Sequence, residues 1–362
     1  PSIGNKDMVF EAGGKLYLLN LQSGQYKEVK VKLTTDQLAL VKKYEKVARW
    51  LQSAHISPDG KRVVVQARGE LFSVPAKDGV VKNLTSSSGV AERNPAWSPN
   101  GQYIAYWSDR SGEYELTLKD VTTGKERKVT SYGAGFRYSI YWSPDSKKLA
   151  FIDQAMQIKI LDVTSGKTTN VDVASGMLHG ALSGFSVDWS SDSRWMAYSR
   201  GFANGNEVIF LYDYQNKKSH QITSDFYSNS NPTFDPQGKY FYLTTRRSFS
   251  PVYSSFQNTF IYPNATRLAA ITLRKDVASP LAPKNDEVKV KKGDKSKEAK
   301  NKKGKKSAGS KAVNIDLDGI EKRMVMLPEP PGRYGNLKAV KGKLIYQQFP
   351  NGGSGGRKSP VK

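Results

Sequence analysis

The sequence predicts an all-β fold: a seven-bladed β-propeller of four-stranded antiparallel blades, with the last blade incomplete. Three observations carry this reading. First, a tight turn followed by a short strand recurs five times. The turns are Ser57-Pro58-Asp59-Gly60, Trp97-Ser98-Pro99-Asn100-Gly101, Trp142-Ser143-Pro144-Asp145-Ser146, Trp189-Ser190-Ser191-Asp192-Ser193 and Phe234-Asp235-Pro236-Gln237-Gly238. Aligned on Ser57, Ser98, Ser143, Ser190 and Asp235, they lie 41, 45, 47 and 45 residues apart. Strand repeats of ~40–50 residues mark propeller arrays. Second, apolar residues alternate after each turn, as in Tyr103-Ile104-Ala105-Tyr106-Trp107, the pattern of strands that face neighbouring blades. Third, hydrophobic content is 38% while Gly numbers 31 and Pro 17, a balance that suits many short strands and many turns.

The elements follow in order. Residues 3–30 read as a first blade: strands at 8–11, 15–21 and 26–29, with turns at Ala12-Gly13-Gly14 and Ser23-Gly24. Residues 34–51 differ. Thr34-Thr35-Asp36-Gln37 can cap a helix, and Leu38, Leu40, Val41, Tyr44, Val47 and Ala48 roughly keep helical spacing, which predicts a short helix or an irregular connector. Four regular blades follow at about 54–85, 90–130, 136–173 and 182–223. Each has an entry strand, the Ser-Pro-Asp-Gly-like turn, a strand and an outer hairpin, the last marked by Asp78-Gly79, Thr123-Gly124, Ser165-Gly166 or Asn216-Lys217. Pro presets φ at the first corner of the turn, and Gly or Asn accepts a positive φ later in it. A sixth blade spans 231–275 and carries an insertion. Its aromatic stretch at 249–264 reads as a folded excursion packed on the propeller. Residues 278–311 are too rich in Pro, Lys, Gly and Ser to bury a core, and predict a disordered Lys-rich insertion. Order resumes at 313, and 313–350 is the partial seventh blade, with strands at 322–327 and 337–348. A flexible tail, 351–362, ends the chain. Either the N-terminal strands complete the seventh blade or the protein continues past Lys362.

Composition narrows the function. There is no Cys, hence no disulfide framework, thiol nucleophile or Cys-zinc site. No apolar run reaches the ~18 residues of a membrane span. The net charge is +23. Residues 284–311 hold twelve Lys and four acidic residues, so +8 is local and +15 is spread over the rest. No nucleic-acid-binding module accompanies the charge, so no nucleic-acid partner is inferred.

No catalytic constellation emerges. His55, His179 and His220 have no metal-ligand spacing and read as surface or packing residues. Gly352-Gly353-Ser354-Gly355-Gly356 matches G-x-S-x-G, but no strand leads into it and no helix follows, so it reads as a loop. No metal and no cofactor is implied. The remaining candidate is the central channel, lined by the entry strands just before the turns. There the substrate-channel candidates are Arg93, Asn94, Arg137, Tyr138, Asp188 and Asn231. Arg93 and Arg137 hold comparable places in adjacent blades and together could grip a peptide carboxylate. The reading that outweighs this clamp is internal pairing of each guanidinium with a neighbouring Asp or a backbone carbonyl.

The turn with its flanking Trp resembles the TolB-type propeller repeat. A closer likeness spans nearly the whole chain. Gly69-Glu70-Leu71-Phe72-Ser73-Val74-Pro75, Asn83-Leu84-Thr85, Arg93-Asn94-Pro95-Ala96-Trp97-Ser98-Pro99 and Ser111-Gly112-Glu113-Tyr114-Glu115-Leu116 resemble the second propeller of tricorn-type serine peptidases. So do Asn231-Pro232-Thr233-Phe234-Asp235-Pro236, Pro251-Val252-Tyr253-Ser254-Ser255-Phe256, Leu273-Arg274-Lys275-Asp276-Val277 and Ile315-Asp316-Leu317-Asp318-Gly319-Ile320. The resemblance implies a non-catalytic propeller that guides peptide or unfolded polypeptide to a proteolytic core. It implies downstream PDZ and peptidase domains in the same parent chain and allows a homo-oligomer. No catalytic residue of that family matches a position here. A cytoplasmic location is implied, with an exported, periplasmic one left open because the chain begins at Pro1. The alternative is a stand-alone TolB-type propeller acting as a protein–protein scaffold.

Overall fold

The structure is a computed structural model and describes residues 1–32, 45–175, 179–249, 251–254, 259–261, 264–283, 311–351 and 360–362. Most of the expected helix or connector at 34–51 lies outside these residues. So do most of the Lys-rich insertion, the Gly-rich loop at 352–356, and Phe256 and Tyr262. Three residues of the connector, Ala48–Trp50, form a single 3-10 turn.

Two compact units are present, Pro1–Lys46 and Val47–Lys362. The first is a meander of β1 (Ser2–Ile3), β2 (Asp7–Ala12), β3 (Lys15–Asn20) and β4 (Tyr26–Val29), paired antiparallel in that order. Alternation puts Phe10, Tyr17 and Tyr26 on one face, where Phe10 and Tyr17 stack at 5.4 Å and Tyr26 meets Tyr17 edge-on at 5.7 Å.

The second unit holds the sheets numbered two to seven above. Blade two comprises β5 (Leu51–Ile56), β6 (Arg62–Ala67), β7 (Glu70–Pro75) and β8 (Lys82–Asn83). Blade three comprises β9 (Glu92–Trp97), β10 (Tyr103–Ser108), β11 (Glu115–Asp120) and β12 (Glu126–Lys128). Blade four comprises β13 (Tyr141–Trp142), β14 (Lys148–Ile152), β15 (Gln157–Asp162) and β16 (Thr168–Val173). A short helix, α1 (His179–Gly184), precedes blade five, which comprises β17 (Val187–Trp189), β18 (Trp195–Gly201), β19 (Glu207–Asp213) and β20 (Lys218–Gln221). Blade six begins with β21 (Asn229–Phe234) and β22 (Tyr240–Thr245). A hairpin of β23 (Val252–Ser254) and β24 (Thr259–Ile261) interrupts it before β25 (Arg267–Thr272) and β26 (Met324–Met326) complete it. β27 (Arg333–Val340) and β28 (Lys343–Phe349) form the last sheet. The expected pattern therefore holds: the described residues form six four-stranded antiparallel sheets and a final two-stranded one, besides the two-stranded β23–β24 hairpin.

Two boundaries need correction. The strand read at 322–327 as the start of blade seven is β26, and it pairs with β25 at Ala269↔Met326 and Ile271↔Met324. The Lys-rich insertion thus falls inside blade six, between its third and fourth strands. Sequence reading placed the strand in the next blade because so long an insertion hides which hairpin it splits. The tail is also not wholly loose. The Tyr346 amide donates to the Lys362 carbonyl at 2.9 Å, and the Lys362 amide donates back at 2.8 Å, so the last residues pair along β28.

The recurring turn has a clear local chemistry. Ser57, Ser98, Ser143 and Ser190 are buried. Each hydroxyl donates to the acidic or amide side chain two residues on, as Ser143 does to Asp145 at 2.5 Å. Each also accepts the amide five residues on, as Ser190 does from Trp195 at 2.9 Å. One small side chain thereby satisfies both ends of the turn. The residue closing the turn is left-handed, with φ +76° at Gly101 but also +58° at Ser146 and +61° at Ser193. A left-handed serine is strained, but both hydroxyls are used between blades. Ser146 accepts the Asn100 amide at 3.0 Å, and Ser193 accepts the Asp145 amide at 2.9 Å.

The core is a series of seams between adjacent blades, as expected of strands that are apolar on both faces. Ala150, Ile152, Met196 and Tyr198 fill the seam of blades four and five. Trp107, Leu116, Leu149 and Phe151 fill that of three and four. Indole N–H groups tie the seams: Trp107 donates to the Tyr138 carbonyl at 2.8 Å and Trp142 to the Ala96 carbonyl at 3.0 Å.

Candidate functional site

The entry strands of blades two to seven (β5, β9, β13, β17, β21 and β27) converge on one cavity of about 600 Å³. Equivalent positions follow from the repeat. Three residues before the one that precedes the turn serine (Ile56, Trp97 and Trp142) stand Ser53, Asn94 and Ser139, all on the cavity wall. One residue before it stand His55, Tyr141, Asp188 and Thr233, also on the wall, and Lys338 joins them from β27, which has no such turn. Trp97, Trp142, Trp189 and Phe234 close the wall beside the turn residues Pro99, Pro144, Ser191 and Pro236. The lining is thus apolar panels interrupted by small polar groups and one charged pair.

A backbone device shapes the polar positions. Asn94, Asn231 and Asn336 have φ of +52°, +54° and +52°, and each sits where its strand shifts register against its neighbour. Asn tolerates the left-handed region better than other non-Gly residues, and a bulge there re-aims the strand. The Asn94 amide N–H donates to Gln66 Oε1 at 3.0 Å, which locks the bulge to blade two.

The charged pair is Asp188 on β17 and Lys338 on β27. Lys338 Nζ lies 3.4 Å from Asp188 Oδ1, and the Phe234 amide donates to Asp188 Oδ2 at 2.7 Å. Burial pushes the Asp188 carboxyl above the usual carboxylate range, against the pull of Lys338 and the Phe234 N–H. His55 faces the same space. Its Nδ1 either donates to the Ile56 carbonyl at 3.1 Å or accepts from the Trp97 amide at 3.3 Å, as its tautomer dictates. Burial holds its pKa below the ordinary value, and the Lys338 charge acts in the same direction.

Of the six candidates from sequence, Asn94 and Asp188 line the cavity. Arg137 is 8% exposed and donates from Nη1 to the carbonyls of Tyr114 at 3.0 Å, Gly133 at 2.9 Å and Gly135 at 2.8 Å. That is the internal arrangement that outweighed the carboxylate clamp. Arg93 lies over the rings of Phe136 at 4.4 Å and Tyr114 at 5.5 Å. Tyr138 is 5% exposed in the seam of blades four and five. Asn231 donates from Nδ2 to Thr244 Oγ1 at 3.0 Å, within blade six. Lys338 was missed because blade seven has no Trp-Ser-Pro turn to set its register. The register of β27 against β28, with its shift at Gly335/Lys338, supplies the alignment instead. His55, expected to be a surface or packing residue, is exposed on the cavity wall, where its place relative to the turn matches that of Asp188.

Among the described residues, no three His, Asp or Glu side chains are grouped to hold a metal. No helix among them is long and apolar enough to cross a membrane.

Known proteins can be set beside this geometry. "Tricorn protease homolog 1" of Streptomyces coelicolor is 24% identical over 350 residues, covering 95% of this chain and 32% of that protein. "Tricorn protease" of Thermoplasma volcanium is 25% identical over 296 residues, covering 80% of this chain and 28% of that protein. The chain thus spans about a third of the length of these relatives. The crystal structure of the tricorn protease superposes with a TM-score of 0.67 at 18% identity, over 95% of this chain and 31% of that one, and so shares its fold. The model of the family described as "Tricorn protease second beta propeller domain" matches residues 51–362, from the first strand of blade two to the last residue. The chain belongs to the tricorn protease second β-propeller family.

Proposed function

We propose that this chain is the non-catalytic propeller of a tricorn-like serine peptidase, and that its axial cavity passes unfolded polypeptide towards a proteolytic core in downstream PDZ and peptidase domains. The observation that supports this is the cavity itself: about 600 Å³, walled by the entry strands of six blades. A folded domain of ~100 residues has a radius of gyration near 13 Å and cannot enter it, whereas an extended strand can. Small hydroxyl and amide groups around the wall can exchange hydrogen bonds with any passing backbone, and this favours sequence tolerance. Asn94, Asp188 and Lys338 are the residues assigned to contact the chain in transit. Arg93 and Tyr138 are given packing roles, and Arg137 and Asn231 hydrogen-bonding roles, within and between the blades. A cytoplasmic location goes with this reading, and a secretory signal in the gene upstream of Pro1 would overturn it.

The test joins this chain to its downstream segment. The chain alone is expected to hydrolyse nothing, and the joined protein to degrade an unfolded protein. Ser139→Trp, which plugs the cavity, should slow that turnover at least about tenfold while sparing a short chromogenic peptide that can bypass the channel. Hydrolysis by the chain alone, or a plugged variant with undiminished protein turnover, would sink the proposal. A stop codon soon after Lys362 would favour a TolB-type scaffold instead.

A further inference from the structure

A second cavity, of about 900 Å³, lies at blade six, at the end remote from the Asp235-Pro236 turn. It is built by four chain segments: the approach to β21, the exit from β22, the approach to β25, and the first residue of β27. These bring Arg246, Arg247 and Arg333 together with Phe226, Tyr227 and Phe249.

The three guanidinium groups are not equally committed. Arg247 is paired with Glu321 and lies over the Tyr227 ring at 4.9 Å. Arg333 uses one N–H on the Pro350 carbonyl at 3.1 Å. Arg246 is exposed, and among the described residues it makes no ion pair; Glu207 is its neighbouring carboxyl. Two aromatic rings beside them are largely exposed, Phe226 at 75% and Phe249 at 81%. Phe226 is propped edge-on against Tyr227 at 4.8 Å. Exposed rings set next to an unpaired guanidinium are a surface that gains by being covered.

We propose that this cleft binds polypeptide segments that carry a carboxylate next to an aromatic or large apolar side chain. Arg246 and Arg333 take the carboxylate, for which the planar guanidinium fork is suited. Phe226 and Phe249 cover the apolar neighbour. The charge balance selects this occupant over a nucleic-acid strand. Glu321 pairs with Arg247 and Glu207 neighbours Arg246, so a run of phosphates would meet repulsion, whereas a single carboxylate needs only the open pair of guanidinium groups. The inference stands apart from the channel reading, because the cleft shares no lining residue with the axial cavity.

The test is fluorescence anisotropy on the full chain with a labelled, end-capped peptide containing adjacent Glu and Phe. Its Gln-Phe and Glu-Gly counterparts and an oligothymidylate of similar length serve as competitors. Saturable binding is expected, weakened at least about tenfold by the Glu-to-Gln change in the peptide and by the combined Arg246→Ala and Arg333→Ala substitutions. Phe249→Ala should weaken it less. These side chains are exposed, so each variant should keep the parent's melting curve, which separates lost binding from lost folding. Absence of saturable binding, unchanged affinity in the double variant, or preference for the oligothymidylate would each overturn the proposal. So would binding that Lys338→Ala in the axial cavity abolishes while the double variant leaves it intact.

Discussion

At the scale of single residues, small polar side chains hold the architecture by doing two jobs at once. Ser143 is buried, donates to Asp145 and accepts the Lys148 amide at 3.0 Å. Asp120, Asp162 and Asp213 do the same for the outer hairpins, each accepting two backbone amides from the turn that follows. Asp188 is different, because its surroundings disfavour its charge. Its carboxyl is raised above the ordinary value by burial. Between the ordinary and the raised value, the folded state therefore binds more protons than the unfolded state. The stability contributed by this group is complete below the ordinary carboxylate value and is lost as pH rises through the raised one. Asp188→Asn cannot ionise, so its melting temperature relative to the parent should be higher at pH 7 than at pH 4. A difference that is flat across that range, or of the opposite sign, would show that Lys338 and the Phe234 amide outweigh burial.

At the scale of elements, the blade seam is the unit of stability. Trp107 on β10 is 1% exposed, meets Phe151 of blade four edge-on at 5.0 Å, and donates its indole N–H to the Tyr138 carbonyl. Trp107→Ala removes a buried ring and leaves that carbonyl without its partner. It should cost ~3–5 kcal/mol, while Trp107→Phe, which keeps most of the ring, should cost ~1–3 kcal/mol. Urea denaturation measures both. Hydrogen exchange should show the loss of protection concentrated in blades three and four, and loss spread evenly over all blades would refute the seam picture. The aromatic excursion of blade six departs from its expected role. It folds as the β23–β24 hairpin, but Tyr253 and Phe260 stay 58% and 59% exposed and contact each other at 5.7 Å. Three-residue strands are too short to carry a face onto a core, so composition alone overstated their burial.

At the scale of the molecule, the two compact units differ in how much they bury. In Pro1–Lys46, no described side chain is fully buried, and the four short strands leave Val9, Leu16 and Tyr26 exposed. A four-stranded sheet of that size lacks the buried apolar area that independent folding needs. In Val47–Lys362, the seams form continuous clusters from blade to blade. Produced separately, residues 47–362 should melt cooperatively by circular dichroism. Residues 1–46 should show neither a transition nor protected amides. A folded 1–46 fragment, or a 47–362 fragment without a transition, would contradict this division.

What the amino-acid order determined unaided is whatever depends on local chemistry: the Ser-Pro-Asp-Gly turns, the strands after them and the repeat that makes a propeller. Those signals are local because a turn and the period of a strand are set by residues next to one another. Asn94 and Asp188 could be placed on the cavity for the same reason, since the turn fixes the register of the strand before it. The tertiary structure alone decided matters that depend on residues far apart. It assigned β26 to blade six across the long insertion, turned Arg137 onto three backbone carbonyls, and set Lys338 against Asp188, 150 positions away. Hydrogen-bond partners of a buried guanidinium, and the meeting of charges across a cavity, are set by how blades close around an axis, and no local pattern encodes that closure.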